Sequence, residues 1–257
     1  LATAHYAFKS KYALDATLRA DGSTSFGKDK RWGYFPAVSA RWNISDEYFF
    51  RPFKKVVNML AIRPGWGITG NAPSTQSTIF NMYSNNGTYA TGRNNLSAIR
   101  PTNLRLTTLQ WEKTSSWNLG FNLGLFESLV DFDINIYQKR TTNLLQQGVK
   151  IPSSTGFSKL DWANVGSLKN TGWELAMNTR PLLPKESKFN FRLKFNASQN
   201  KNRITSMDAS VLSTINRDFN YAIDDTYPYN RYLSRVQIGN ALYSIYGFRY
   251  KGVYSFS

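Results

Sequence analysis

The chain has 257 residues and no cysteine, which excludes a disulfide framework or a thiolate metal site and leaves room for one large β domain. Its 32 lysines and arginines outweigh 16 acids, for a net charge of +16. No run approaches the roughly 18 consecutive apolar residues of a transmembrane helix. The opening Leu1-Ala2-Thr3 carries no basic segment leading into an apolar signal core, so the chain reads as processed or partial.

Taken in order, the chain is a series of alternating segments. Residues 6–21 set Tyr12, Leu14, Ala16, Leu18 and Ala20 against Ala13, Asp15, Thr17, Arg19 and Asp21. A period of two places these sets on opposite faces of a strand. Strands are predicted next at 33–45 and 57–69. Pro36 and Pro64 fall inside them, where a proline removes a ladder hydrogen bond, so each predicts a bulge or a later strand start.

The pattern is cleaner further on. In 113–125, Trp117, Leu119, Phe121, Leu123 and Leu125 alternate with Asn118, Gly120, Asn122 and Gly124. In 130–140, Val130, Phe132, Ile134 and Ile136 alternate with Asp131, Asp133, Asn135 and Tyr137. A strand at 167–180 follows, then 188–199, where Phe189, Phe191, Leu193 and Phe195 face away from Lys188, Asn190, Arg192 and Lys194. A weaker strand is predicted at 244–254.

Connections are of two kinds. Residues 127–129 and 181–187 are short, whereas 71–103, 141–166 and 207–238 are long and rich in Asn, Ser, Thr and Gly. Alternation alone favours a soluble β protein. Segments of about ten residues, long connections gathered at one end, and aromatics near strand ends (Trp32, Tyr34, Trp42, Trp117, Tyr137, Trp173) favour an all-β, antiparallel transmembrane β-barrel instead.

Catalytic patterns are weak. Gly65-Trp66-Gly67-Ile68-Thr69-Gly70 has dinucleotide-loop spacing, but Asn71-Ala72-Pro73 follows instead of a helix. His5 is the only histidine, too few for a His-based metal site, and sits in an alternating strand. Asp131 with Asp133 shares one strand face, and Asp224 with Asp225 lies in a loop; neither pair is a separated acid and nucleophile. The chain is therefore read as no enzyme, without cofactor or metal. The basic excess reads either as a solvated surface, lopsided for want of an acidic part of a parent chain, or as affinity for anions such as lipopolysaccharide phosphate or acidic glycans. Dispersed charges without a nucleic-acid motif argue against nucleic acid. In the loops 81–93 and 153–162, Tyr83, Tyr89, Arg93, Phe157 and Trp162 sit among amides and hydroxyls, a composition suited to sugars or peptides or to a loop packed on itself.

Several stretches together resemble the SusC/RagA family of TonB-dependent outer-membrane transporters. They are Arg19-Ala20-Asp21-Gly22-Ser23, Phe26-Gly27 and Arg31-Trp32-Gly33-Tyr34-Phe35-Pro36 with Ser39 and Trp42, then Gly65 to Asn71 and Trp111-Glu112-Lys113-Thr114. Tyr137 with Lys139, Thr142, Leu144 and Leu145 continues the order, as do Asn164-Val165-Gly166, Asn170, Gly172 and Glu174. Asn200-Lys201-Asn202, Gly239, Leu242, Tyr246-Gly247 and Gly252-Val253 complete it. Pro64, Asn122 and Thr171 depart from the family pattern.

The resemblance implies a barrel of roughly 22 strands. This chain would supply seven or eight of them, all within a single barrel domain spanning 1–257, with the plug, TonB box and C-terminal strands elsewhere. It further implies import of glycans or peptides, energised through TonB, beneath a SusD-like surface lipoprotein, in the bacterial outer membrane. The lumen-facing residues would then be the polar phases: Asp15, Arg19, Arg41, Arg63, Asn118, Asn122, Asp131, Asp133, Arg192 and Lys194. A soluble carbohydrate-binding module, a passive porin and a barrel hydrolase remain as alternatives.

Overall fold

The computed structural model describes residues 1–74, 79–91, 94–179, 191–209, 211–212, 233–234, 236–242, 244–246 and 252. Eight long strands form one antiparallel sheet, joined in chain order along the sheet. They are β1 (Ala2–Phe8), β2 (Tyr12–Gly22), β3 (Trp32–Asn43), β4 (Val57–Asn71), β7 (Glu112–Leu125), β8 (Val130–Thr142), β11 (Gly166–Thr179) and β12 (Leu193–Met207). Two hairpins stand in the long connections: β5 (Tyr83–Thr91) with β6 (Asn94–Pro101), and β9 (Leu145–Lys150) with β10 (Lys159–Asn164). A small pair, β13 (Leu233–Ser234) with β14 (Ile245–Tyr246), follows.

The registers keep the two side-chain phases separate from strand to strand. One row of partners runs Leu119, Ile136, Trp173, Gln199, and the next runs Phe121, Ile134, Leu175, Ala197. On β2 to β4 the same phase carries Leu14, Leu18, Tyr34, Val38, Trp42 and Trp66. These side chains are exposed or half-exposed; Trp32 is 63% and Phe195 50% accessible. The apolar stretch from Leu125 to Trp117 measures roughly 27 Å along the strand at about 3.4 Å per residue. That matches the apolar band of about 25 Å on outer-membrane strands. Every Asp and Glu of the eight strands (Asp15, Asp21, Glu112, Asp131, Asp133, Glu174) falls in the opposite phase.

Three expectations change. The segment 6–21 is a hairpin, β1 and β2 turning at Lys9 and Ser10, both at positive φ. Neither proline makes a bulge or delays its strand. The β3–β4 ladder starts at Ala37, just after Pro36, and it lapses between Ser39↔Gly65 and Trp42↔Ile62, where Pro64 lies, without losing register. The missing N–H groups thus fall where that ladder is unpaired. Tyr137 is in the polar phase, partnered by Asn118 and Gly172, so it does not join the outer aromatics. The last long strand is found at Leu193–Met207; Phe189, and most of the weak segment at 244–254, lie outside the described residues.

Short connections (Lys9 to Lys11, Phe126 to Leu129) lie at one end of the sheet, together with the 3-10 turns Ile44–Asp46 and Tyr48–Phe53 that join β3 to β4. The β5–β6 and β9–β10 hairpins lie at the other. There a buried cluster of Phe26, Phe35, Leu109 and Trp111 packs against Ile68, Leu145 and Trp162. The Phe26 and Trp111 rings are 4.9 Å apart, and Trp111 Nε1 donates to the Arg31 carbonyl at 3.1 Å.

Candidate functional site

The polar face is a continuous surface of hydrogen-bonding groups. One row of partners crosses the whole sheet: His5, Asp15, Ser39, Gly65, Asn118, Tyr137, Gly172 and Asn200. Asp15, Arg19, Arg41, Arg63, Asn118, Asn122, Asp131, Asp133 and Lys194 all occupy this phase. Arg192 precedes β12 and is exposed.

Its densest part spans β4, β7 and β8. The Arg63 guanidinium donates to Asp133 Oδ1 at 2.7 Å, while Asn135 and Asn122 amides donate to the same carboxylate at 2.9 and 3.1 Å. Gly120, partner of both Arg63 and Asn135, makes the space: a Cβ there would lie 2.8 Å from Asn135 Oδ1 and 3.1 Å from Arg63 Nε. Arg63 Nε is buried without a partner among the described residues. Elsewhere the face is locally paired, Arg19 with Asp21 at 2.6 Å and Arg41 Nε with Asn43 Oδ1 at 2.8 Å.

His5 Nδ1 and Asp15 Oδ1 are 2.6 Å apart, and Ser39 is the next partner beyond Asp15. A serine relay needs histidine between serine and carboxylate. The order here places the carboxylate in the middle, so the row does not form a serine relay. Among the described residues no group of three or more metal-ligating side chains gathers.

At the long-connection end, Tyr83 begins β5 and is 61% exposed. Tyr89 lies opposite Leu96 in the same hairpin, and Arg93 lies outside the described residues. Phe157 is half-buried beside the 3-10 turn Ser153–Thr155. Trp162 pairs with Gln147 and packs on the Phe26–Trp111 cluster. The four described residues are thus divided between the two hairpins. Sequence reading missed a cleft of about 470 Å³ at this end, lined by Lys28, Asp29, Arg31, Phe80 and Arg105. Lys28 and Arg31 are near neighbours in the chain, but Arg105 and Phe80 are brought to them from far along it, so no local spacing signals the cleft.

At the opposite end, outside the spanning strands, Glu47 accepts from the Tyr12 hydroxyl at 2.5 Å, from Lys11 Nζ at 2.9 Å and from Trp42 Nε1 at 3.3 Å. The Tyr12 hydrogen bond first, and the Lys11 ammonium next, draw its carboxyl down to about 2.

Comparison with known proteins agrees with this geometry. A family model described as TonB dependent receptor-like, beta-barrel matches residues 2–255. TonB-dependent receptor SusC of Bacteroides thetaiotaomicron is 35% identical over 207 residues, covering 79% of this chain and 20% of that protein. TonB-dependent receptor P39 of Formosa agariphila is 32% identical over 251 residues, 98% of this chain and 22% of its own. The solved RagAB peptide transporter superposes with a TM-score of 0.69 at 24% identity over 80% of this chain and 22% of that one, a likeness of fold. The chain spans about a fifth of the length of the curated relatives it matches.

Proposed function

Because this chain belongs to the TonB-dependent receptor β-barrel family, within its SusC/RagA group, we propose that its eight-stranded sheet is an arc of the wall of an energised outer-membrane importer. The single observation that carries the reading is the separation of phases: all strand carboxylates on one face, an uncovered apolar band on the other. Water and hydrocarbon are the two solvents such a sheet fits. Backbone groups on the outer edges of β1 and β12 have no place in lipid, which supports completion of the barrel by strands from the rest of the parent protein.

In this reading the polar face lines the lumen, and its amides, the Arg63–Asp133 pair and Lys194 offer weak, multiple hydrogen bonds to a passing oligosaccharide or peptide. Weak contacts suit a path, because a tightly held substrate would not leave. The long-connection end faces outward, where Tyr83, Phe157 and the Lys28–Arg105 cleft meet substrate and a SusD-like lipoprotein lids the opening. The plug and TonB box of the parent protein couple the inner-membrane proton gradient to release. No bond is made or broken, in keeping with a family of transporters.

The test is uptake by cells carrying or lacking the intact parent gene, supplied with labelled oligosaccharides or labelled peptides. Loss of uptake of one pool on deletion, and equal loss when a protonophore collapses the gradient, is the expected outcome. Uptake that survives the protonophore would point to a passive porin. A protein found in the lysate supernatant without detergent would point to a soluble module.

A further inference from the structure

The apolar phase ends at the long-connection side in a row of cations. Arg140 on β8 is the partner of Lys169 on β11, and Lys169 is the partner of Arg203 on β12. Lys201 lies one row nearer the apolar band, opposite Thr171. Arg140, Lys201 and Arg203 are exposed and Lys169 is half-exposed. Neighbouring strands are only about 4.8 Å apart, so three like charges in one row repel and destabilise the sheet unless an anion lies over them. No carboxylate of the eight strands shares their face, and no ion pair forms at any of the four among the described residues.

Directly beside the row lies a groove of about 710 Å³ whose walls include Trp117, Ile134, Ile136, Trp173 and Leu175, with Lys201 at its rim. Trp117 and Trp173 are set where aromatic rings mark the headgroup level of a membrane. Cations one step beyond that level meet headgroups rather than acyl chains, and guanidinium binds phosphate through paired N–H donors.

We infer that Arg140, Lys169 and Arg203, flanked by Lys201, bind the phosphate of an outer-leaflet glycolipid of the lipid A class, with an acyl chain lying in the Trp117–Trp173 groove. The inference rests on the membrane reading given above and adds a specific lipid to it. The site is on the outside of the wall, separate from the substrate path, and it would fix the depth of the barrel and neutralise part of the +16 charge.

The experiment uses the intact parent protein extracted from its own outer membrane in mild detergent, with bound lipid counted by native mass spectrometry. Joint substitution Arg140→Gln, Lys169→Gln and Arg203→Gln is expected to lower retained phosphorylated lipid by at least about tenfold. Lys54→Gln with Lys55→Gln, at the other end of the sheet, leaves it unchanged. Should the triple variant fail to assemble, the wild-type protein is reconstituted in phosphatidylethanolamine vesicles containing lipid A with or without its phosphates. A melting midpoint raised only by the phosphorylated form is the expected result. A triple variant that assembles and keeps its lipid, or an equal shift with dephosphorylated lipid A or with inorganic phosphate alone, would overturn the lipid site and leave the importer reading intact. A wild-type protein missing from the outer-membrane fraction would overturn both.

Discussion

Arg63 on β4 and Asp133 on β8 form an ion pair at 2.7 Å across the whole width of β7, over the bare backbone of Gly120. The pair ties together three strands that successive hairpin pairing alone would join only two at a time. Both side chains are partly open to water, at 33% and 41%, so screening keeps its contribution near that of a surface pair. Asp133→Asn should therefore lower barrel stability by about 1 kcal/mol. Because Asp133 also accepts from Asn122 and Asn135, the effect of Arg63→Gln should be partly absorbed in the Asp133→Asn background. A double-mutant cycle on the heat-induced mobility shift of the folded barrel measures this; strictly additive effects would dissolve the proposed tie.

A charge introduced on either phase reads out which side meets hydrocarbon. Phe195 sits in the row of Leu123, Phe132 and Met177, and Asn196 next to it faces the polar side opposite Ala176. Phe195→Arg should cost about 2–4 kcal/mol of folding stability in vesicles if the row lies near the bilayer midplane. Asn196→Arg should cost less than about 1 kcal/mol, since its side chain stays in water. Folding yields into lipid vesicles across a urea series separate the two, and equal costs would contradict a membrane-facing apolar phase.

What was legible in the sequence was legible because side-chain direction repeats every two residues. The same arithmetic explains the hairpin that went unseen. Phe8 is the partner of Tyr12, so the apolar set passes through the turn at Lys9, Ser10 and Lys11 without changing parity, and the turn itself contains no Gly, Asn or Asp. At Phe126 to Leu129 the partners are Leu125 and Val130, the parity flips, and the break is visible. The β9–β10 hairpin was hidden for another reason. Its strands are six residues each, too short to carry a period. It is held by packing of Leu145 and Trp162 on the Phe26–Trp111 cluster and of Leu160 beside Val149 and Val165. The cleft of Lys28, Arg31 and Arg105 is assembled from separate stretches of the chain and has no local signal.

Glu47 gives the short-turn end a pH dependence. Its carboxyl titrates near 2 in the folded protein against 4.5 ordinarily, because the charged form is held by Tyr12 and Lys11. A depressed folded value means the unfolded chain takes up the proton first, so the stabilisation is complete above about 4.5 and is lost as pH falls towards 2. Thermal melting of wild type and Glu47→Gln should therefore differ most at neutral pH and converge near the acid limit. A difference that grows on acidification would refute the assignment.

Tyr137 and Gly172 are partners on β8 and β11, and the ring of one occupies the space above the other. A Cβ at position 172 would lie 2.6 Å from the Tyr137 hydroxyl oxygen and 2.5 Å from the backbone carbonyl oxygen of Gln199. The tyrosine could swing away at little cost, but the carbonyl belongs to β12 and cannot move without disturbing the ladder. Gly172→Ala should for that reason destabilise the barrel by about 1–3 kcal/mol, as overpacking does in a close-packed interior. The companion change Tyr137→Ala should not rescue it, because the backbone clash remains. Full rescue in the double variant, measured by urea unfolding in detergent, would show that the glycine is kept for the tyrosine alone.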